Sequence, residues 1–169
     1  MRIVYGAALR MCGKPDMAED ITQETMLRAY RTFDSFQPGT NCKAWLLTIM
    51  RSVFINLFHH DQRRPEAPLD AMAPDAEVFA TTDDQVTAFI DRAPAPEIEA
   101  ALAALPEDFR AAVVLVDIEE LSYEEASQVL QCPVGTVRSR LSRARRLLYV
   151  ALREHAQRAG YVAEPEGRS

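Results

Sequence analysis

The sequence predicts an all-α protein, made of two small helical domains joined by a flexible linker, the second domain being a helix-turn-helix. Apolar residues recur at helical spacing in both halves of the chain. A stretch rich in proline and acidic residues separates the halves, and no β-hairpin signal occurs. We therefore divide the 169 residues into a first domain at 1–62, a linker at 63–96, a second domain at 97–160 and a tail at 161–169.

The first domain is predicted to hold an amphipathic helix followed by a nearly continuous apolar one. Residues 44–58 form the apolar helix, which contains Trp45. Residues 34–41 interrupt the helical pattern before it, and Pro38 followed by Gly39 predicts a turn there. The amphipathic helix should bury one face, whose members are Ile21, Met26, Leu27, Tyr30 and Phe33.

The second domain is predicted to hold four helices. Pro106 suits the first turn of the second of them, because a first turn needs no amide donor there. Ser122 and Glu125 form a capping box, Ser-x-x-Glu, that opens the third. A short break at 131–133 leads into the last helix. The predicted ranges are 97–105, 106–118, 122–130 and 134–159.

The net charge of −6 argues at first against nucleic acid, but the charge is unevenly distributed. Residues 1–64 carry 9 Lys/Arg and 6 Asp/Glu, whereas residues 65–99 carry one arginine and 9 acids. Residues 132–158 hold seven arginines against one glutamate. Charges act within a Debye length of roughly 8–10 Å, so the local basic segment outweighs the global sum.

A capped helix, a tight connection and an arginine-loaded helix describe a helix-turn-helix, whose second helix enters the major groove of DNA. Guanidinium groups suit both phosphate and guanine contacts. A merely solvated basic face is the alternative, and the capped preceding helix argues against it. The expected DNA-contacting residues are Thr136, Arg138, Ser139, Arg140, Ser142, Arg143, Arg145 and Arg146.

The first domain offers two further surfaces. Aromatic residues lie among cations there, an arrangement that can stack unpaired bases, although Trp45 and Phe54 are expected to belong to the core. The acidic-polar stretch 19–24 indicates a protein-docking face rather than a catalytic one, because no His, Ser or Cys accompanies its carboxylates.

Other functional classes lack the residues they need. The three cysteines are widely spaced, so neither a disulfide framework nor a zinc site is expected. His59 and His60 are adjacent and point about 100° apart on a helix. No phosphate-binding glycine loop, secretion signal or membrane-spanning run is present. We expect no enzyme activity, cofactor, metal or membrane insertion.

Three groups of motifs resemble the extracytoplasmic-function sigma factors of bacterial RNA polymerase. Residues 18–25 with 28–30 are similar to the helix of conserved region two that docks on the polymerase clamp. Residues 36–41 and 43–46 resemble the promoter-melting segment. Residues 105–110, 121–126 and 132–140 are similar to region four. The resemblance covers nearly the whole chain outside the linker.

The resemblance implies a role for each part of a cytoplasmic initiation factor. The second domain would read the minus-thirty-five duplex, and core RNA polymerase, promoter DNA and an anti-sigma factor would be its partners. The implied polymerase-binding residues are Glu19, Asp20, Gln23, Glu24 and Arg28. The implied minus-ten residues are Asn41, Lys43, Trp45, Arg51, Ser52, Asn56, Arg63 and Arg64.

Two departures from the family pattern have consequences. The family usually carries about ten to twenty more residues before the segment at 4–10, so either the start codon is misplaced or the first helix is cut short, which would weaken the N-terminal core. Ser52 stands where the family usually has asparagine, and a hydroxyl cannot make the bidentate base contact of an amide. Residues 39–41 and 152–156 also resemble the oxidative-stress branch.

Two rival interpretations remain open from the sequence. The first is a helix-turn-helix regulator that binds DNA without docking on core polymerase. The second is an interaction protein whose basic helix docks on an acidic partner. Binding to core polymerase distinguishes the sigma factor from both.

Overall fold

The structure is a computed structural model that describes residues 1–61 and 95–158, with the side chains of 58–61, 95 and 155–158 left aside. The described parts are all-helical, which confirms the predicted fold class. The linker lies outside the described residues, as do Arg63 and Arg64. The helices are α1 (Arg2–Cys12), α2 (Pro15–Arg31), α3 (Cys42–Asp61), α4 (Ala95–Ala104), α5 (Glu107–Val113), α6 (Tyr123–Leu130) and α7 (Val134–Arg158), with a 3-10 turn at Phe33–Ser35 and a π-helical turn at Val114–Ile118.

The first three helices pack on one another and form the N-terminal domain. Helix α1 ends at Cys12 and is capped by Gly13, which adopts a left-handed φ of 68° and donates its amide to the carbonyl of Leu9. Glycine accepts this conformation without a steric cost. The 11 residues of α1 bury Val4, Ala7 and Met11. The first helix therefore contributes to the core of the N-terminal domain.

The buried face of α2 differs from the predicted one. Ile21 is fully buried, but Leu27, Tyr30 and Phe33 are exposed by 44%, 84% and 61%. Small residues take the inner face, and they are Ala18, Thr22, Thr25 and Ala29. The hydroxyls of Thr22 and Thr25 donate to the carbonyls four residues earlier, at 2.6 Å each, so these polar groups are buried with their hydrogen bonds made. On α2, the size of the side chains rather than their hydropathy therefore determines which face packs against the core.

Four helices and the π-helical turn form the C-terminal domain. Pro106 precedes the first turn of α5 rather than lying inside it. The predicted helix at 106–118 changes to π geometry at Val114, where the chain accommodates an extra residue per turn. Leu121 then donates its amide to the carbonyl of Leu115 at 3.0 Å, which closes the end of this segment.

The two domains touch each other directly. Helix α3 packs against α6, and α1 packs against α4 and α5. The guanidinium of Arg110 crosses from α5 to donate to the carbonyl of Met11 at 2.8 Å, and Arg10 pairs with Glu99 at 3.3 Å. One set of buried apolar residues continues through both domains. In this conformation, which we call closed, the helices of the N-terminal domain are in van der Waals contact with those of the C-terminal domain.

Candidate nucleic-acid interface

The helix-turn-helix is held by its caps. Ser122 accepts a hydrogen bond from the amide of Glu125 at 3.1 Å, and the Glu125 carboxylate accepts one from the amide of Ser122 at 2.9 Å. The predicted capping box is therefore present. Gln131 ends α6 with a left-handed φ of 53°, and Ser127 donates its hydroxyl to the carbonyl of Cys132 at 2.7 Å. These bonds fix the angle at which α7 leaves the turn.

One stripe of α7 is core and the opposite side is available to a ligand. The predicted apolar stripe of Val137, Leu141, Ala144 and Leu148 is buried throughout, with at most 1% of any residue exposed. At 100° per residue, the side opposite this stripe carries both hydroxyl and guanidinium groups. Its members are Ser139, Ser142, Arg143 and Arg146, and Thr136 and Arg138 flank it. The Arg138 guanidinium lies 5.3 Å from the ring centre of Tyr123, a cation–π contact that orients it.

Arg140 and Arg145 each pair with an acidic side chain of the C-terminal domain. Arg145 makes a two-bond pair with Asp117 at 2.6 and 3.1 Å, and its side chain is only 16% exposed. Arg140 pairs with Asp108 at 2.8 Å and is 15% exposed. The sequence does not distinguish these two arginines from the other arginines of α7, because their acidic partners lie elsewhere, Asp108 on α5 and Asp117 in the π-helical turn. In this conformation both arginines face the protein.

The aromatic residues of the N-terminal domain form a cluster at the start of α3. Trp45 lies 5.3 Å from Phe36 and 6.3 Å from Phe33, measured between ring centres, and Phe33 and Phe36 stack at 6.1 Å. Phe54 is fully buried, as expected of a core residue, whereas Trp45 is half-buried. The cluster thus presents ring surface to solvent, and Phe33 is the most exposed of the three residues.

The predicted minus-ten residues divide into two groups. Ser52 and Asn56 lie on the exposed side of α3. Asn41, Lys43 and Arg51 instead contact the C-terminal domain. Asn41 donates to the Glu125 carboxylate at 2.8 Å, and the Lys43 ammonium donates to the main-chain oxygen of Glu119.

Among the predicted DNA-binding cations that the structure describes, Arg51 is the most enclosed. Only 8% of it is exposed, and its guanidinium lies 3.4 Å from Glu107 and 3.7 Å from Asp108. It also lies 6.0 Å from the ring centre of Phe54. Its expected place on an open DNA-binding face is therefore not the one that this closed conformation gives it.

The predicted polymerase-binding residues share the outer side of α2. Glu19, Asp20 and Gln23 are exposed, while Glu24 and Arg28 form an ion pair within the helix at 2.6 Å. The apolar side chains of Leu27 and Tyr30 extend the same side. The sequence pattern predicted both side chains in the core, and they are exposed because small residues occupy the inner face of α2.

Two carboxyl groups at the contact between the domains have shifted pKa values, Glu119 through burial and Glu125 through hydrogen bonding. Burial raises the pKa of Glu119, and the positive charges of Lys43 and Arg10 oppose this rise in part. The pKa of Glu125 is lowered, first by the main-chain hydrogen bond from Ser122 and then by the amide of Asn41. Burial likewise raises the pKa of the Cys12 thiol, which disfavours the reactive thiolate.

Neither a metal centre nor a membrane span is found in the parts that the structure describes. Within 1–61 and 95–158, no three His, Cys, Asp or Glu side chains come together as metal ligands. Over the same residues, no helix combines the length and apolarity needed to cross a bilayer.

Two family models match the chain. The model for sigma-70 region 2 matches residues 1–64, and the model for sigma-70 region 4 matches residues 96–148. The class defined by this pair of domains is a transcription initiation factor without enzymatic activity.

Similar proteins narrow the class to one family. The chain is 42% identical over 147 residues to the ECF RNA polymerase sigma factor EcfG of Rhodopseudomonas palustris, covering 85% of this chain and 77% of that protein. It is 36% identical over 163 residues to the RNA polymerase sigma-H factor of Pseudomonas aeruginosa, covering 88% and 80%. The sigma factor RpoE of Bartonella quintana, co-crystallised with the anti-sigma factor NepR, matches with a TM-score of 0.67 at 31% identity, covering 89% of each chain. The chain belongs to the extracytoplasmic-function sigma factors of RNA polymerase.

Proposed function

We propose that this sigma factor divides promoter recognition between its two domains, with boundaries near 1–62 and 97–160 and a linker at 63–96. The C-terminal domain reads the minus-thirty-five duplex through the outer side of α7. The N-terminal domain docks on the polymerase clamp through α2 and holds the unpaired minus-ten strand near α3. The protein acts in the cytoplasm, where its polymerase works.

The outer side of α7 is the single observation that carries the proposal. Arg143 and Arg146 lie opposite the buried stripe, and Ser139 and Ser142 precede them on the same side. The N-terminal residues of a recognition helix meet base edges, while cations further along hold phosphates. In the alternative interpretation, the same positive charges would dock on an acidic protein. An assay that depends on promoter DNA distinguishes the two interpretations.

Run-off transcription with core polymerase tests this assignment. Arg143→Ala and Arg146→Ala should each lower promoter-dependent initiation by about tenfold, as expected for the loss of one base or phosphate contact of roughly 1–3 kcal/mol. Arg153→Ala is the matched control, since it removes the same charge two turns further along α7, beyond residues 96–148. Equal initiation by all four proteins would exclude α7 as the recognition helix.

An anti-sigma factor is the proposed regulator. The structural relative from Bartonella quintana was crystallised with one, and the matched fold covers 89% of this chain. The exposed apolar side chains of α2, Leu27 and Tyr30, provide surface for such a partner or for polymerase. A partner that competes with core polymerase for α2 would silence the factor directly.

A further inference from the structure

Two kinds of partner hold the arginines of α7. Arg140 and Arg145 each pair with a carboxylate of their own domain, at 2.8 and 2.6 Å. The guanidinium of Arg138 has neither an ion pair nor a hydrogen bond to any residue that the structure describes, and it lies 5.3 Å from the ring centre of Tyr123. An aromatic ring therefore takes the place at Arg138 that acids take at its neighbours.

The kind of partner determines what an arginine can still offer to DNA. A carboxylate neutralises the charge and occupies the N–H donors that phosphate or guanine would use. A ring attracts the cation through its negative face and leaves those donors without a conventional acceptor. The side chain of Arg138 is also exposed. Arg138 is thus held in place while its charge and its donors stay available to a ligand.

The Tyr123 ring is a well-anchored support. Tyr123 is the first residue of α6 and directly follows the N-cap Ser122. The capping box joins Ser122 and Glu125 by hydrogen bonds of 3.1 and 2.9 Å, which fixes the main chain at Tyr123 between them. The side chain of Tyr123 is half-buried and packs against the apolar core. The helix before the turn therefore supports a side chain of the helix after it.

A positioned arginine loses less freedom when it binds. Ordering a long, flexible side chain at an interface lowers affinity, and a side chain that is already ordered avoids that loss. Arg138 lies near the N-terminus of α7, and this part of a recognition helix meets base edges. The contact with the ring therefore favours placing this guanidinium on the duplex.

We propose that Tyr123 is a positioning residue for promoter recognition, whose ring holds the Arg138 guanidinium in the orientation that DNA requires. Tyr123 acts through Arg138 and not through a DNA contact of its own hydroxyl. This inference rests on the proposed function, since it takes α7 as the recognition helix. It adds to the recognition surface a residue of α6 that carries no charge.

Four variants of the full-length chain separate the ring from the rest of the side chain. Tyr123→Phe keeps the ring and loses the hydroxyl, whereas Tyr123→Leu loses the ring and keeps an apolar group on the core. Arg138→Ala, alone and combined with Tyr123→Leu, removes the group that the ring supports. Tyr5→Leu is the matched control, because Tyr5 of α1 is also half-buried against the core. Far-UV circular dichroism and thermal melts establish that each variant keeps its helices.

The measurement is the affinity of the reconstituted holoenzyme for a duplex promoter fragment. The fragment is one that the wild-type holoenzyme selects from duplexes randomised at the minus-thirty-five element. We expect Tyr123→Leu to weaken binding about fivefold, and Tyr123→Phe and Tyr5→Leu to stay within about twofold of the wild type. The double variant should bind no more weakly than Arg138→Ala alone, because the ring has no effect once the guanidinium is absent.

A change in ring electronics tests the same contact where leucine disturbs the turn. Phenylalanine and pentafluorophenylalanine have nearly the same shape, but fluorine withdraws negative charge from the ring face and removes its attraction for a cation. Pentafluorophenylalanine in place of Tyr123 should weaken promoter binding about threefold relative to Tyr123→Phe. In the Arg138→Ala background the two rings should give equal affinities. A ring that only fills space would give equal affinities in both backgrounds.

Four results would overturn the inference. Equal losses in Tyr123→Phe and Tyr123→Leu would assign the effect to the hydroxyl. Additive losses from Tyr123→Leu and Arg138→Ala would show that Tyr123 acts independently of Arg138. Equal affinities with phenylalanine and pentafluorophenylalanine would exclude the cation–π contact as the cause. Unchanged affinity of Arg138→Ala would remove the group through which Tyr123 acts.

Failure of this inference is distinguishable from failure of the proposed function. Arg143→Ala tests the recognition helix in the same assay without touching Tyr123 or Arg138. If Arg143→Ala binds the fragment as the wild type does, the assignment of α7 fails. If Arg143→Ala weakens binding while the ring variants have no effect, only the positioning role of Tyr123 fails.

Discussion

At the scale of the residue, similar arginines of one helix serve different purposes because of what faces them. Arg143 and Arg146 lie on the outer side of α7, whereas Arg145 is bound by Asp117 through two hydrogen bonds. The π-helical turn at Val114–Ile118 carries that aspartate. A charge run in a sequence therefore does not identify which of its members are available to a ligand.

Arg145→Ala should lower the free energy of unfolding by about 1 kcal/mol, because the carboxylate of Asp117 loses the guanidinium that donates two hydrogen bonds to it. Chemical denaturation measures the change. Arg146→Ala, one residue along and on the outer side, should leave stability within about 0.5 kcal/mol of the wild type. If the two variants unfold alike, the pair with Asp117 does not stabilise the fold.

Glu119 gives the stability a dependence on pH. Burial raises its pKa in the folded chain, so the folded state holds the proton more tightly than the unfolded state does. The stabilisation from the neutral carboxyl is present below the unfolded pKa and is lost as pH rises through the folded one. Glu119→Gln, which stays neutral, should therefore unfold at a higher temperature than the wild type near pH 7.

The advantage of Glu119→Gln should shrink as the pH approaches 4, where the wild-type carboxyl is protonated too. Thermal melts between pH 4 and pH 8 follow this convergence. The exposed neighbour provides the control, as Glu120→Gln should leave the melting curve nearly unchanged across the series. A constant gap between Glu119→Gln and wild type at all pH values would contradict the assigned cause.

At the scale of the element, local signals predict helix ends better than they predict helix faces. Ser122 and Glu125 cap α6 as predicted, because a capping box involves only neighbouring residues. Leu27 and Tyr30 are misplaced by hydropathy alone, since their exposure depends on how closely α1 and α3 approach α2. The ion pairs of Arg51, Arg140 and Arg145 involve residues 28 to 57 positions away, and no spacing rule reaches that far.

The cap of α6 is a local contribution to stability. Ser122→Ala removes the oxygen that accepts the Glu125 amide, and it should cost about 1 kcal/mol of unfolding free energy. Ser122→Asp should retain most of the stability, because aspartate also caps helix N-termini. Urea denaturation of the full chain measures both. If Ser122→Asp loses as much unfolding free energy as Ser122→Ala, the effect does not arise from the cap.

The outer side of α2 is the element on which polymerase binding depends. Asp20→Lys with Glu24→Lys reverses two charges, and the second change also replaces the partner of Arg28 by a cation. We expect core-polymerase binding to fall sharply, since opposite charges at an interface steer encounter and a central one left unpaired costs about 2–5 kcal/mol. Competition against another sigma factor measures the loss.

Asp16→Lys with Asp34→Lys gives the same change of net charge at the two ends of α2 and serves as control. The C-terminal domain lies outside these changes and should keep its helices in both proteins. Undiminished assembly by the Asp20 and Glu24 variant would place the clamp-binding surface on another helix.

At the scale of the whole molecule, charge and closure act in the same direction. The chain carries a net charge of −6, so free duplex DNA repels it at long range, and the C-terminal domain contacts Lys43 and Arg51 at short range. We expect the isolated protein to bind promoter duplex weakly and yet to direct core polymerase to a defined start. Gel shift and run-off transcription measure the two properties. Tight, salt-resistant, sequence-specific binding by the free protein would contradict this expectation.

The bridge made by Arg110 has a consequence for how such a chain changes over evolutionary time. Its guanidinium donates to the carbonyls of Met11, Ala103 and Leu105, all of them main-chain groups. Every amino acid supplies that carbonyl, so substitutions at those three positions leave the acceptors in place. The pair of Arg51 and Asp108, by contrast, needs both side chains. Comparison of many homologous sequences should therefore reveal correlated substitution at the ion pair and none at the Arg110 bridge, although both join the same two domains.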